Sequence, residues 1–166
     1  MTDRKLYYAG IGARATPQLN LIEMTIASAA LEADKFILRS GGAKGADSAF
    51  ERGVKDHMKD IFTAEDCSFA AEIYAEKYHP NWTACSPYVR RLMGRNAHVL
   101  FGEMLDTPVE FVLCWTPQGK ITGGTGHTLR MAMEARIPIY NFGSDGWEAF
   151  TKERNFYINV ENRYEP

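Results

Sequence analysis

The sequence predicts an α/β protein: a single Rossmann-like, doubly wound and mainly parallel sheet flanked by helices. Three observations carry that expectation. Short apolar runs alternate with stretches of helical periodicity along the chain. Several of the runs end in glycine. Three glycine-rich turns, residues 10–17, 40–48 and 122–128, each come after an apolar run and before a predicted helix.

Residues 5–12, KLYYAGIG, read as a buried strand entering a turn. Thr16-Pro17 then supplies an N-cap and a first-turn proline for a helix from about 17 to 33, with Leu19, Ile22, Ile26, Ala29 and Ala30 at helical spacing. Residues 35–42, KFILRSGG, repeat the strand-to-glycine pattern, and Ala46, Ala49, Phe50 and Val54 mark the buried stripe of a second helix. DIFTA (60–64) is a short candidate strand and SFAAEIYAEKY (68–78) a short helix. Ser86-Pro87 repeats the cap-plus-proline device and opens a helix through YVRRLMGRNAHVLF. EFVLCW (110–115) is nearly all apolar, as a parallel strand covered on both faces should be. A helix from about 126 to 135, the strand IPIYNF (137–142) and a short helix within DGWEAFTKERNF close the pattern.

The 166 residues, 45% hydrophobic, suit one domain with a sizeable core. Nineteen basic against twenty-one acidic residues leave a formal charge of -2, so no bulk positive field favours nucleic acid, and any such contact needs a local patch. Cys67, Cys85 and Cys114 are odd in number and lack metal-ligand spacing, which predicts a reduced, cytoplasmic protein without disulfides, zinc or another metal. No apolar run is long enough for a signal-peptide core or a membrane span.

In a doubly wound sheet the ligand lies beyond the carboxyl ends of the strands. Glycine lets backbone approach an anion, and a helix N-terminus offers it N–H groups and about half a positive charge. The three loops are therefore expected to hold a ligand bearing phosphate or carboxylate. Neither GxxxxGK[ST] nor GxGxxG occurs, so a nucleoside triphosphatase and an ordinary NAD enzyme are not expected, and no cofactor is assigned.

GIGAR, RSGGAKGADSAF, MGRNAHVL and CWTPQGKITGGTGHTLRMA together resemble the SLOG superfamily, which joins the DNA-processing protein A family to the Lonely Guy phosphoribohydrolases. The similarity is strongest to small single-domain members of the DNA-processing kind and spans Tyr7 to about Gly143, weakest between Val54 and Tyr88. It implies a nucleotide-type ligand held by Gly10, Gly12 and Arg14 in the first loop, by Ser40, Gly41, Gly42 and Gly45 in the second, and by Gly123, Gly124, Thr125, Gly126 and His127 in the third. Asn96, Trp115 and Thr116 complete the expected ligand set. Trp115 would either stack on a base or pack in the core.

The resemblance also frames an enzymatic alternative. The hydrolases carry a glutamate after their glycine loop, where this chain has Leu129 or Arg130. An N-glycosidase would need Asp47, Glu51 or Glu110 in its place, with Arg95 steadying phosphate or leaving group. A second alternative is binding of single-stranded nucleic acid through Arg14, Lys44, Arg90, Arg91 and Arg95. A homodimer is implied, because superfamily members commonly pair through helices.

Overall fold

The computed structural model describes residues 4–154. Five parallel strands form one sheet in the order β3-β2-β1-β4-β5, with β1 Leu6–Gly10, β2 Phe36–Ser40, β3 Lys59–Ile61, β4 Val112–Cys114 and β5 Ile139–Asn141. Six helices flank it: α1 Gln18–Ala33, α2 Ala46–Arg52, α3 Phe69–Glu76, α4 Pro87–Phe101, α5 Gly123–Glu134 and α6 Gly146–Glu153. The predicted Rossmann-like class is therefore observed. Among the described residues no helix is long and apolar enough to cross a membrane.

β1, β2 and β4 send their side chains alternately into two apolar layers, as the pleat requires, whereas β3 (Lys59-Asp60-Ile61) is a partly exposed edge strand. Tyr8, Leu38, Phe111 and Leu113 face a core with Met24, Ala27 and Leu31 of α1, Ala46, Ala49 and Phe50 of α2, and Phe150 of α6. Ala9, Val112 and Cys114 face the other core, with Ala71 of α3, Ala97 and Leu100 of α4, and Leu129, Met131 and Ala132 of α5. Burial on both faces explains why β1 and β4 read as continuous apolar runs.

Element ends differ from expectation in instructive ways. Thr16 does not cap α1: its hydroxyl donates to the Ala13 carbonyl and closes the preceding turn, leaving Pro17 at the N-cap position without a side-chain bond. Ser86 does cap α4, its Oγ accepting from Val89 N–H at 3.2 Å with Pro87 behind it. The most consequential shift is in α5, which begins at Gly123 rather than near residue 126, so GGTG is the helix's first turn and not a loop before it. The terminal helix ends at Glu153, and residues 155 and 156 of the predicted segment lie outside the described residues.

Candidate functional site

β2 leaves β1 on one side and β4 joins it on the other, so the chain's winding reverses between β1 and β4. Adjacent connections then depart to opposite faces, and a crevice opens beyond the strand ends. A cleft of about 670 Å³ occupies that place, within the size range of small-ligand sites. Its walls come from the segment after β1 (Ile11 to Arg14), the segment after β2 (Gly41 to Ala43), the N-terminal turn of α5 (Gly123 to Thr125) and one face of α4.

Most of the predicted residues meet there: Gly12, Arg14, Gly41, Gly42, Asp47, Arg95, Asn96, Thr116, Gly123, Gly124 and Thr125 all line the cleft. The loops pack against each other through glycine. Gly45 has φ +91°, and a Cβ there would meet the Arg14 carbonyl oxygen at 2.9 Å, so the second loop can lie on the first only without a side chain. Gly124 is of another kind, since a Cβ there would meet nothing nearer than Met93 Cε at 3.8 Å. No side chain caps the α5 N-terminus, which presents its first-turn backbone to the cleft.

Other predicted residues lie elsewhere, and each placement is a correction. Glu110 precedes β4 at the opposite end of the sheet and accepts from Arg4 at 2.6 Å. Glu51 pairs with Lys59 at 3.1 Å, away from the cleft wall. Trp115 packs against the core beside α2 and the α1 layer and does not line the cleft. Ser40 is wholly buried and donates to the Gly10 carbonyl at 2.6 Å, tying the ends of β2 and β1. Gly10 and Gly45 support the loops without lining the cleft, and Gly126 packs on Ile121 within α5. His127 is buried, with Nδ1 3.2 Å from Asn96 Nδ2 and Nε2 2.9 Å from the Ala75 carbonyl, so it braces α5 against α3 and α4. Burial holds its pKa below the usual imidazole value, with the charges of Arg130 and His79 acting in the same direction.

Arg95 and Asn96 link the walls. Arg95 Nη1 donates to the carbonyls of Gly41 (2.7 Å) and Phe62 (3.1 Å), and Nε donates to Asn96 Oδ1 (3.3 Å). One guanidinium thus sets the second loop against α4. Thr116 is placed by Asn141 at the end of β5, whose Oδ1 accepts from Thr116 N–H (3.1 Å) while Nδ2 donates to Thr116 Oγ1 (2.7 Å).

Asp47 is the one carboxylate among the described lining residues. It is 5% exposed, and its Oδ2 accepts from Ala43 N–H at 3.2 Å. Burial pushes its pKa up to about 6, against the opposing pull of the Ala43 and Gly41 backbone and the Arg95 charge. A carboxyl that changes charge near neutrality, next to an arginine and a helix N-terminus, can hold a hydroxyl or move a proton.

Sequence reasoning missed Tyr88, Leu92, Met93 and Val99 of the α4 wall. The signal was present: Tyr88, Leu92, Arg95, Asn96 and Val99 recur at helical spacing, and the Ser86-Pro87 cap sets the phase. Tyr88, 57% exposed, offers a phenol ring at the cleft.

Fold and cleft together define a Rossmann-like α/β protein with an open cleft at its topological switch point. In solved structures this arrangement is similar to DNA processing protein A from Helicobacter pylori, a structure described for its single-stranded DNA binding mode. The TM-score is 0.55 at 16% identity, covering 96% of this chain and 82% of that one, a likeness of fold. No protein-family model matches the sequence, and no curated protein matches it.

Proposed function

We propose that the cleft binds a nucleotide or nucleotide-derived ligand by its phosphate, in the manner of the SLOG superfamily. The supporting observation is the convergence of the uncapped α5 N-terminus, the 11–14 and 41–43 segments and the exposed Arg14 on one cleft at the switch point. The base then lies toward Tyr88, Leu92 and Met93. Calorimetric titration of adenosine monophosphate, adenosine and inorganic phosphate tests this. The expected result is that the monophosphate binds at least about tenfold tighter than the nucleoside, a difference of ~1.4 kcal/mol. Equal affinities for nucleotide and nucleoside overturn it.

Single-stranded nucleic acid is the second reading, favoured by the likeness in fold to DNA processing protein A. Exposed Lys44 and Arg91 stand next in sequence to lining residues Ala43 and Leu92, whereas Arg90 is turned to the Trp82 carbonyl and leaves the proposed patch. Oligonucleotide affinity that falls steeply with salt supports it, and binding of mononucleotide without oligomer removes it.

For N-glycosidic cleavage, Asp47 is the carboxyl group we assign, with Arg95 at the same wall. Absence of free base after incubation with the common nucleoside monophosphates at high protein concentration overturns that assignment. Pairing of two copies is proposed through the α1 face that exposes Leu19, Ile22 and Ile26. Light scattering of Ile22→Glu against the parent chain tests it, and equal masses for the two overturn it.

A further inference from the structure

Three free cysteines meet three different environments. Cys114, inside β4, is fully buried, and burial pushes its thiol up to about 12. Cys67 donates to the Ser68 carbonyl at 3.3 Å and is pressed against α4, where a Cβ on Gly94 would stand 2.3 Å from its sulfur. Burial, then the Glu72 charge, raises its pKa.

Cys85 lies outside the cleft wall and has a nitrogen base beside it. Its sulfur is 3.6 Å from Nε2 and 3.8 Å from Nδ1 of His79. Asn81 N–H donates to His79 Nδ1 at 3.1 Å, so the neutral ring carries its proton on Nε2, the nitrogen nearer the sulfur. Cys85 also immediately precedes Ser86, the N-cap of the 15-residue α4, whose first turn has no acidic residue. One turn into that helix, Arg90 is fixed by two hydrogen bonds to the Trp82 carbonyl and lies over the Trp82 ring. An imidazole N–H therefore faces a part-exposed sulfur one residue before a helix N-cap, and the Arg90 guanidinium shares the Trp82 carbonyl with the Cys85 N–H (3.0 Å), the kind of environment in which cysteines react.

We infer that Cys85 is a thiol-modification site that exchanges with small, negatively charged disulfides, with His79 positioning and polarising the sulfur. In the exchange Cys85 gives its proton to water and its sulfur attacks one sulfur of the incoming disulfide. The new S–S bond forms as the old one breaks, and the departing thiolate leaves with the electron pair and takes up a proton. Cys85 is oxidised to the mixed disulfide and half of the reagent is reduced. The negative charge of the reagent answers Arg90 and the exposed Arg91. The adduct stands three residues before Tyr88, at the root of the helix that walls the cleft.

The native full chain is treated with oxidised glutathione, quenched by acid, alkylated under denaturing conditions and mapped by peptide mass spectrometry. Cys85 is expected to carry the glutathione at least about tenfold faster than Cys67, with Cys114 unmodified. Relative to the same reagents on the denatured chain, anionic oxidised glutathione should outpace cationic cystamine at Cys85. His79→Asn should slow Cys85 by at least about threefold and leave Cys67 unchanged. Wild-type mapping requires no variant to fold. Modification of Cys67 as fast as Cys85, no preference for the anionic disulfide, or an unchanged Cys85 rate in His79→Asn each overturns the inference.

Discussion

Asp47→Asn should make the protein more stable at neutral pH and slightly less stable in acid. The Asp47 carboxyl is buried, and its pKa is raised from 3.8 to about 6 in the folded state. Between those values the folded chain holds a proton that the unfolded chain has released, so stability falls as pH rises through that window. A shift of about two units corresponds to about 3 kcal/mol, fully expressed above pH ~6 and absent below pH ~4. Asparagine keeps the shape and an acceptor for Ala43 N–H but never ionises, at the cost of one weakened acceptor worth about 1 kcal/mol. The net expectation is a gain of about 2 kcal/mol at pH 7.5 and a loss of about 1 kcal/mol at pH 4. Urea unfolding of both proteins at a series of pH values measures this. Because His127 is present in both chains, its own pH dependence cancels in the difference. A stability difference independent of pH would refute the claim that burial perturbs Asp47.

Further outcomes follow from the same geometry. Gly124→Ala adds a methyl that meets only Met93 Cε, so it should raise stability by about 0.5–1 kcal/mol, read by thermal melting. The same methyl should weaken nucleotide binding at least about tenfold if phosphate sits on the α5 N-terminus, read by titration. Asn141→Ala removes both bonds to Thr116 and one to Gly143 N–H (3.0 Å), and should cost about 2–4 kcal/mol in urea unfolding. His127 is held neutral by burial, so its contribution is present above pH ~6.5 and lost as pH falls. His127→Gln should flatten the acid limb of the stability profile below pH ~6.5. Arg14→Ala should leave the melting temperature within about 1 °C, because Arg14 is exposed, while lowering nucleotide affinity.

Local chemistry made much of the fold legible. Alternating apolar runs and helical stripes, Ser86-Pro87 at the start of α4 and glycines after β1 and β2 are signals carried within a few residues, and the parallel sheet follows from their order. That order also points to one sheet edge, which is why Gly12, Arg14, Gly41, Gly42, Arg95 and Gly123 are expected together from sequence and all line the cleft. What lies inside a turn was less legible. Thr16 has the composition of an N-cap and instead closes the turn before it, and the α5 glycines form helix rather than loop, because helix starts depend on backbone angles that several sequences share.

Side-chain direction belonged to the tertiary structure. Glu110 and Trp115 sit at the two ends of one apolar run, and only the register of β4 against β1 and β5 sends Glu110 to the far edge and Trp115 into the core. Ser40 and His127 lie on segments whose neighbours line the cleft, yet packing turned the first to Gly10 and the second to Asn96 and Ala75. The bond from Arg95 to Gly41 joins residues 54 apart in sequence, and the Cys85–His79 pair depends on how the turn before α4 folds back. By itself the sequence determined the α/β order and the sheet edge at which the cleft opens, since these rest on periodicity and on glycine. Which carboxylate faces the cleft was decided only by packing, because burial and partnership are properties of neighbours distant along the chain.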